Sequence, residues 1–134
     1  MNLEATAQDE AFRAMVRAYF ATEYPQDILA KLANGQTLTK ADLLASQRAL
    51  AAKGWIAPGW PEAYGGTGWT VSERFIFDEE LERAGAPSVS PMGLLYVAPV
   101  IYTFGTQAQK DRWLDDILSS RTFWAQGYSE PEAG

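Results

Sequence analysis

Apolar residues recur at intervals of three and four along most of this chain, and that spacing predicts helices. Phe12, Met15, Val16, Tyr19 and Phe20 form one stripe of a helix from about residue 7 to 23. Asp9 and Glu10 place negative charge near its start, where the helix dipole favours it, and Pro25 marks its end. Asn34-Gly35 is a turn signal, so the intervening segment is expected to hold only a short helical turn. Leu43, Leu44, Gln47 (by its stem), Leu50 and Ala51 make the stripe of a second helix over Thr39 to Lys53, and Gly54 suits its closure. Thr70-Val71-Ser72-Glu73 reads as a capping box that opens a third helix, running to Arg83 or Ala84 before Gly85 and Pro87.

Two stretches break the amphipathic rhythm. Between the second and third helices lie Trp55, Pro58, Gly59, Trp60, Pro61, Tyr64, Gly65, Gly66, Gly68 and Trp69. The glycines invite a phosphate-loop reading, but no Lys-Ser/Thr follows and no strand precedes, so a rigid connection pinned by aromatic rings is favoured. Ser90-Pro91 then opens a fourth helix, whose body from Met92 to Tyr102 carries no charge. A helix apolar on every side is expected to be buried centrally or to line an apolar cavity. Pro99 should kink or restart it. Thr106-Gln107-Ala108-Gln109 caps a fifth helix, with Trp113, Ile117 and Leu118 turned inward. After Ser119-Ser120 the pattern becomes a short aromatic-rich extended run and a Glu-Pro turn, Thr122 to Gly134.

The fold class is therefore all-α, a bundle of about five helices ending in a short extended segment. Asp78-Glu79-Glu80 suggests a carboxylate pair, but neighbouring helical residues point apart, so a solvated face is expected.

Composition removes whole classes of chemistry. With neither Cys nor His, the chain has no thiolate nucleophile, disulfide framework, histidine base or common zinc site. A net charge of −6, with 11 scattered basic residues, argues against nucleic acid as a partner. No apolar run is long enough to span a membrane. Met1-Asn2-Leu3-Glu4 lacks the basic start and apolar core of a signal peptide, which reads as cytoplasmic.

Five short motifs, in order, carry a resemblance. They are Gly54-Trp55 with Ala57-Pro58; Pro61-Glu62-Ala63-Tyr64-Gly65-Gly66-Thr67-Gly68; Glu79-Glu80-Leu81-Glu82-Arg83-Ala84-Gly85-Ala86-Pro87; Gly105-Thr106-Gln107 with Gln109-Lys110; and Gln126-Gly127-Tyr128-Ser129-Glu130-Pro131-Glu132-Ala133-Gly134. Together they resemble the N-terminal helical domain of acyl-CoA dehydrogenases, flavoproteins that introduce a double bond beside a thioester carbonyl. The resemblance implies that residues 1–121 are this helical domain. Residues 122–134 would be the start of a middle β-domain with a flavin-contacting loop, cut short.

From the same resemblance, Gln126, Tyr128 and Ser129 are expected to contact FAD, and Met92, Leu95, Tyr96 and Val100 to wall the acyl pocket. It further implies an acyl-CoA substrate, an electron-transfer flavoprotein as acceptor, and a homo- or hetero-oligomer when full length. The family's catalytic base lies in its C-terminal domain, so no catalytic residue and no metal ligand is assigned here. Glu132 departs from the common Glu-Pro-Gly-Ala-Gly form and needs a backbone angle that tolerates a side chain. Two other readings stay open: a related flavin monooxygenase or nitroalkane oxidase, and a non-catalytic helical interaction domain or a subunit that completes a partner's site.

Overall fold

The computed structural model describes residues 5–133. Among them, six α-helices account for most of the chain: α1 (Ala7–Thr22), α2 (Gln26–Ala33), α3 (Lys40–Lys53), α4 (Val71–Ala84), α5 (Ala98–Phe104) and α6 (Gln107–Leu118). A 3₁₀ turn spans Glu62–Tyr64, and a wide π-type helix spans Met92–Val97. The all-α expectation holds with one helix more than the sequence suggested. The addition is α2, two full turns where a single short turn was expected; Ile28 is the buried residue that holds it down.

Four helices start the same way. Thr6, Thr39, Thr70 and Thr106 each accept a hydrogen bond from the backbone N–H three residues on, and the side chain there returns one from the threonine N–H. The partners are Asp9, Asp42, Glu73 and Gln109. Each reciprocal pair satisfies two helix-end donors and contributes about 1 kcal/mol. The shorter Asp completes the box at Thr6 and Thr39 as Glu does at Thr70.

The chain divides into two compact units, one through Val89 and one from Ser90. In the first, α1 packs along α4. Val16, Tyr19 and Phe20 supply the α1 side, and Ile76, Phe77 and Leu81 the α4 side. Met15 lies outside this stripe and is 46% exposed, because its position in the turn directs it away from α4. The tryptophan-rich connection belongs to the same core. Trp69 meets Phe12 edge-on at 5.0 Å, and Trp55 meets Tyr19 at 4.9 Å and Trp69 at 5.6 Å. Such T-shaped pairs add roughly 0.5–1.5 kcal/mol each beyond the area they bury. Gly66 allows the loop to fold back on itself, since a Cβ there would sit 1.7 Å from the Trp60 carbonyl oxygen.

The acidic triplet on α4 is only in part a solvated face: Asp78 is exposed, but Glu80 is not. Glu80 is 2% exposed, and its carboxylate accepts hydrogen bonds from Arg13 and Arg17 of α1. Arg13 also reaches Glu79 at 2.8 Å. Helical spacing does separate the three carboxylates; α1 supplies the counter-charges that make burial of the last one, Glu80, tolerable. Deeper in the unit, the Tyr24 hydroxyl donates to Ser46 Oγ of α3 at 2.6 Å, both side chains buried.

In the second unit, the π-type helix and α5 pack on α6. The π segment ends where proline chemistry requires a change. The Ala98 N–H donates five residues back to the Gly93 carbonyl, and α5 begins with Pro99 in its first turn. Pro99 has no N–H, and its ring crowds the carbonyl four residues earlier; a widened turn relieves both problems. Gly93, Leu94 and Ala98 are buried, but Leu95, Tyr96 and Val100 are each 59% exposed and Phe104 is 82% exposed. Central burial of the uncharged helix is therefore overturned within this unit: only one side of it meets α6.

Candidate functional site

The exposed side of the π segment and α5 forms one wall of an apolar cleft of about 580 Å³. Met92, Tyr96, Val97, Val100 and Ile101 line it, with Ala125 and Gln126 of the terminal stretch closing another edge. The 4 and 5 spacings from Met92 to Tyr96 and Val97 fall within the wide turn, which keeps these side chains on one face, and Val100 and Ile101 extend the wall along α5. A strict α-helical reading puts Leu95 on the stripe instead. Leu95 is not among the lining residues and points to solvent.

The terminal stretch is held near this cleft by its own contacts. After α6 the chain turns at Ser120, the described non-glycine residue with positive φ, at 54°. Arg121 and Thr122 donate their N–H groups to the Asp116 carbonyl at 3.0 and 3.2 Å. The Arg121 guanidinium pairs with Asp115 and Asp116, and Arg112 adds a 2.8 Å bond to Asp116. These bonds, Arg121 first, hold the Asp116 carboxyl below its ordinary pKa. Trp124 then meets Trp113 edge-on at 5.4 Å. It is half-buried, whereas Tyr128 is 83% exposed.

From Gln126 to Ser129 the residues are exposed. Among the described residues, no partner takes the side chains or amides of Gly127, Tyr128 and Ser129, and open space surrounds the place of a Gly127 Cβ. This is a set of free amide and hydroxyl donors with an unobstructed approach, a fit for a polar ring edge. No regular strand forms among the described residues here; a single antiparallel bridge joins Glu130 and Ala133. Glu132 occupies that turn without positive φ, so the side chain brings no backbone strain. Gly134, the last residue of the motif, lies outside the described residues.

The sequence-derived candidates thus separate. Met92, Tyr96, Val100 and Gln126 surround one cleft; Leu95, Tyr128 and Ser129 do not line it. Val97, Ile101 and Ala125 line it and were not singled out. Their signal is weak: each directly neighbours a chosen residue, and only for Val97 does the widened helix turn both neighbours to the same side. The described residues contain no group of three acidic side chains suited to a metal ion. No described helix is long and apolar enough to cross a membrane.

Residues 6–121 match the family model for the acyl-CoA dehydrogenase N-terminal domain. The chain is 38% identical to acyl-CoA dehydrogenase IpdE1 of Mycolicibacterium smegmatis, over 93% of this chain and 33% of that protein. It is 35% identical to acyl-CoA dehydrogenase FadE26 of Mycobacterium tuberculosis, over 100% of this chain and 34% of that one. Among solved structures, the ChsE4-ChsE5 complex from Mycobacterium tuberculosis superposes with a TM-score of 0.78 at 34% identity, covering 100% of this chain and 33% of the matched one. The Tcur3481-Tcur3483 steroid ACAD gives 0.78 at 35%, covering 100% and 34%. The chain spans about a third of the length of these relatives. It belongs to the acyl-CoA dehydrogenase family, and what it carries is that family's N-terminal helical domain.

Proposed function

We propose that this domain works within a FAD-dependent enzyme that dehydrogenates an acyl-CoA thioester between its α and β carbons. The observation that carries this is the cleft itself: Met92, Tyr96 and Val100 on one side and Gln126 at its edge, apolar where an acyl chain would lie and polar where a cofactor would approach. FAD, when bound, supplies the oxidant. Gln126, Tyr128 and Ser129 would meet the edge of its ring system, their N–H and O–H groups donating toward the negative charge that reduction places there. The α5 wall excludes water from the acyl chain. Proton abstraction is assigned to none of the Asp or Glu residues of this domain.

The acyl group proposed is bulky and steroid-derived. Support comes from the cleft's volume of about 580 Å³ and from the likeness to a steroid ACAD. Electrons would pass to an electron-transfer flavoprotein. Assembly with a related chain is proposed from the likeness to a two-component complex, and a cytoplasmic location from the sequence.

The test is anaerobic titration of the full-length protein with a steroid side-chain acyl-CoA, followed in the flavin absorbance bands. Bleaching of those bands with formation of the enoyl-CoA is expected. A protein without flavin, or one bleached by nitroalkanes and not by any acyl-CoA, would overturn the assignment.

A further inference from the structure

The π segment has two sides, and the second is as specific as the first. Gly93 follows Met92 directly, yet Met92 lines the cleft while Gly93 is buried against Trp124. A Cβ on Gly93 would lie 3.0 Å from Trp124 Cδ1 and 3.2 Å from Ile117 Cγ2. The bare backbone is therefore a notch that the indole edge fills. Trp113 braces the ring edge-on at 5.4 Å, and the indole Nε1 is buried without a hydrogen-bond partner among the described residues. Burying an unpaired N–H costs free energy, so packing, not polar bonding, holds Trp124 here.

On its open side Trp124 borders a second cleft of about 380 Å³, with Phe104, Gln109 and Trp113. The indole is thus braced on one side and has room to move on the other. Two residues further on, Gln126 stands at the edge of the first cleft.

We propose that Trp124 is a positioning residue. Seated in the Gly93 notch, it sets the height at which Gln126 and the loop to Ser129 meet the cofactor, and ties that loop to the turn that carries Met92 and Tyr96. If the notch is filled, the indole must give by a few tenths of an ångström toward the second cleft, and the start of the loop shifts with it. This rests on the assignment of that loop to FAD.

The experiment measures the FAD dissociation constant of the full-length protein after flavin removal and reconstitution, by quenching of flavin fluorescence, alongside helicity and melting temperature. Displacing a positioned group by about an ångström weakens its function by roughly tenfold to a hundredfold. Trp124→Ala is expected in that range with helicity unchanged, Gly93→Ala at about the lower end, and Trp124→Phe close to wild type. Leu95→Ala, on the same helix but off the cleft, is expected to leave the constant unchanged. Should Trp124→Ala fail to fold, Gly93→Ala decides alone, because one methyl leaves the rest of the packing in place. Folded Gly93→Ala protein with an unchanged constant would overturn the positioning role. A wild-type protein that takes up no FAD would instead overturn the functional assignment beneath it.

Discussion

Arg17 holds both carboxylate oxygens of Glu80, its Nε 2.9 Å from Oε2 and its Nη2 2.8 Å from Oε1. This two-point contact joins α1 to α4 across 63 residues of sequence, and Arg13 adds a third bond at 3.0 Å. Glu80 is the buried member, its side chain 1% exposed, while Arg17 is 55% exposed. The pair is therefore a surface cation laid over a buried anion.

The Arg17 hydrogen bonds, helped by Arg13, hold the Glu80 carboxyl at about 2 against burial that pushes it up, from an ordinary value of 4.5. The folded value lies below the unfolded one, so the stabilisation is complete above about 4.5 and is lost as pH falls toward about 2. Urea unfolding across that window should show a falling midpoint in the wild type and a flatter profile in Glu80→Gln. At neutral pH that variant should lose about 2–3 kcal/mol, less than the 3–5 typical of fully buried pairs, because Arg17 can turn to water.

Tyr24 and Ser46 form the other buried polar link, a 2.6 Å hydrogen bond between the segment after α1 and α3. Tyr24→Phe leaves the Ser46 hydroxyl buried without its donor. Chemical denaturation should report a loss of about 1–2 kcal/mol. Adding Ser46→Ala should recover part of it, since removing both partners removes the unpaired group.

Gly66 should tolerate no side chain. With the Trp60 carbonyl oxygen 1.7 Å from the place of its Cβ, Gly66→Ala must move the backbone of a loop that buries Trp55 and Trp60. The expected loss exceeds about 3 kcal/mol or prevents folding. Gly59→Ala is the control, because the nearest atom there, Arg74 Nη1, is at an ordinary 3.7 Å. Thermal melts of the two variants should differ widely.

Val100 lines the cleft and is 59% exposed, so a larger side chain should fold. In the full-length enzyme Val100→Trp should raise KM for a bulky acyl-CoA by roughly tenfold and change it little for a short one, an effect of lost pocket volume. Steady-state kinetics on two acyl lengths would check it. Equal changes for both would place Val100 outside the acyl site.

How far the sequence carried depended on whether a feature was local. The boxes at Thr70 and Thr106, the stop at Gly85 and the restart at Pro99 were all readable, because each is decided within four or five residues by backbone donors and ring sterics. So was the order of motifs that placed the chain in its family. The choice of Met92, Leu95, Tyr96 and Val100 came from the resemblance, and three of these four line the cleft.

Tertiary structure alone decided what depends on a distant partner. The sequence offered no reason to bury Glu80 and expose Glu82, since the reason is a pair of arginines on α1. Likewise Leu95 was expected at the cleft and Val97 was not, and the wide π turn places Val97 there instead. Trp124 has its seat from Gly93 and Trp113, neither of which lies near it in sequence. Local bonding is written in neighbouring residues; burial is written by whatever the fold brings alongside, and one missing Cβ thirty-one positions away was enough to decide it here.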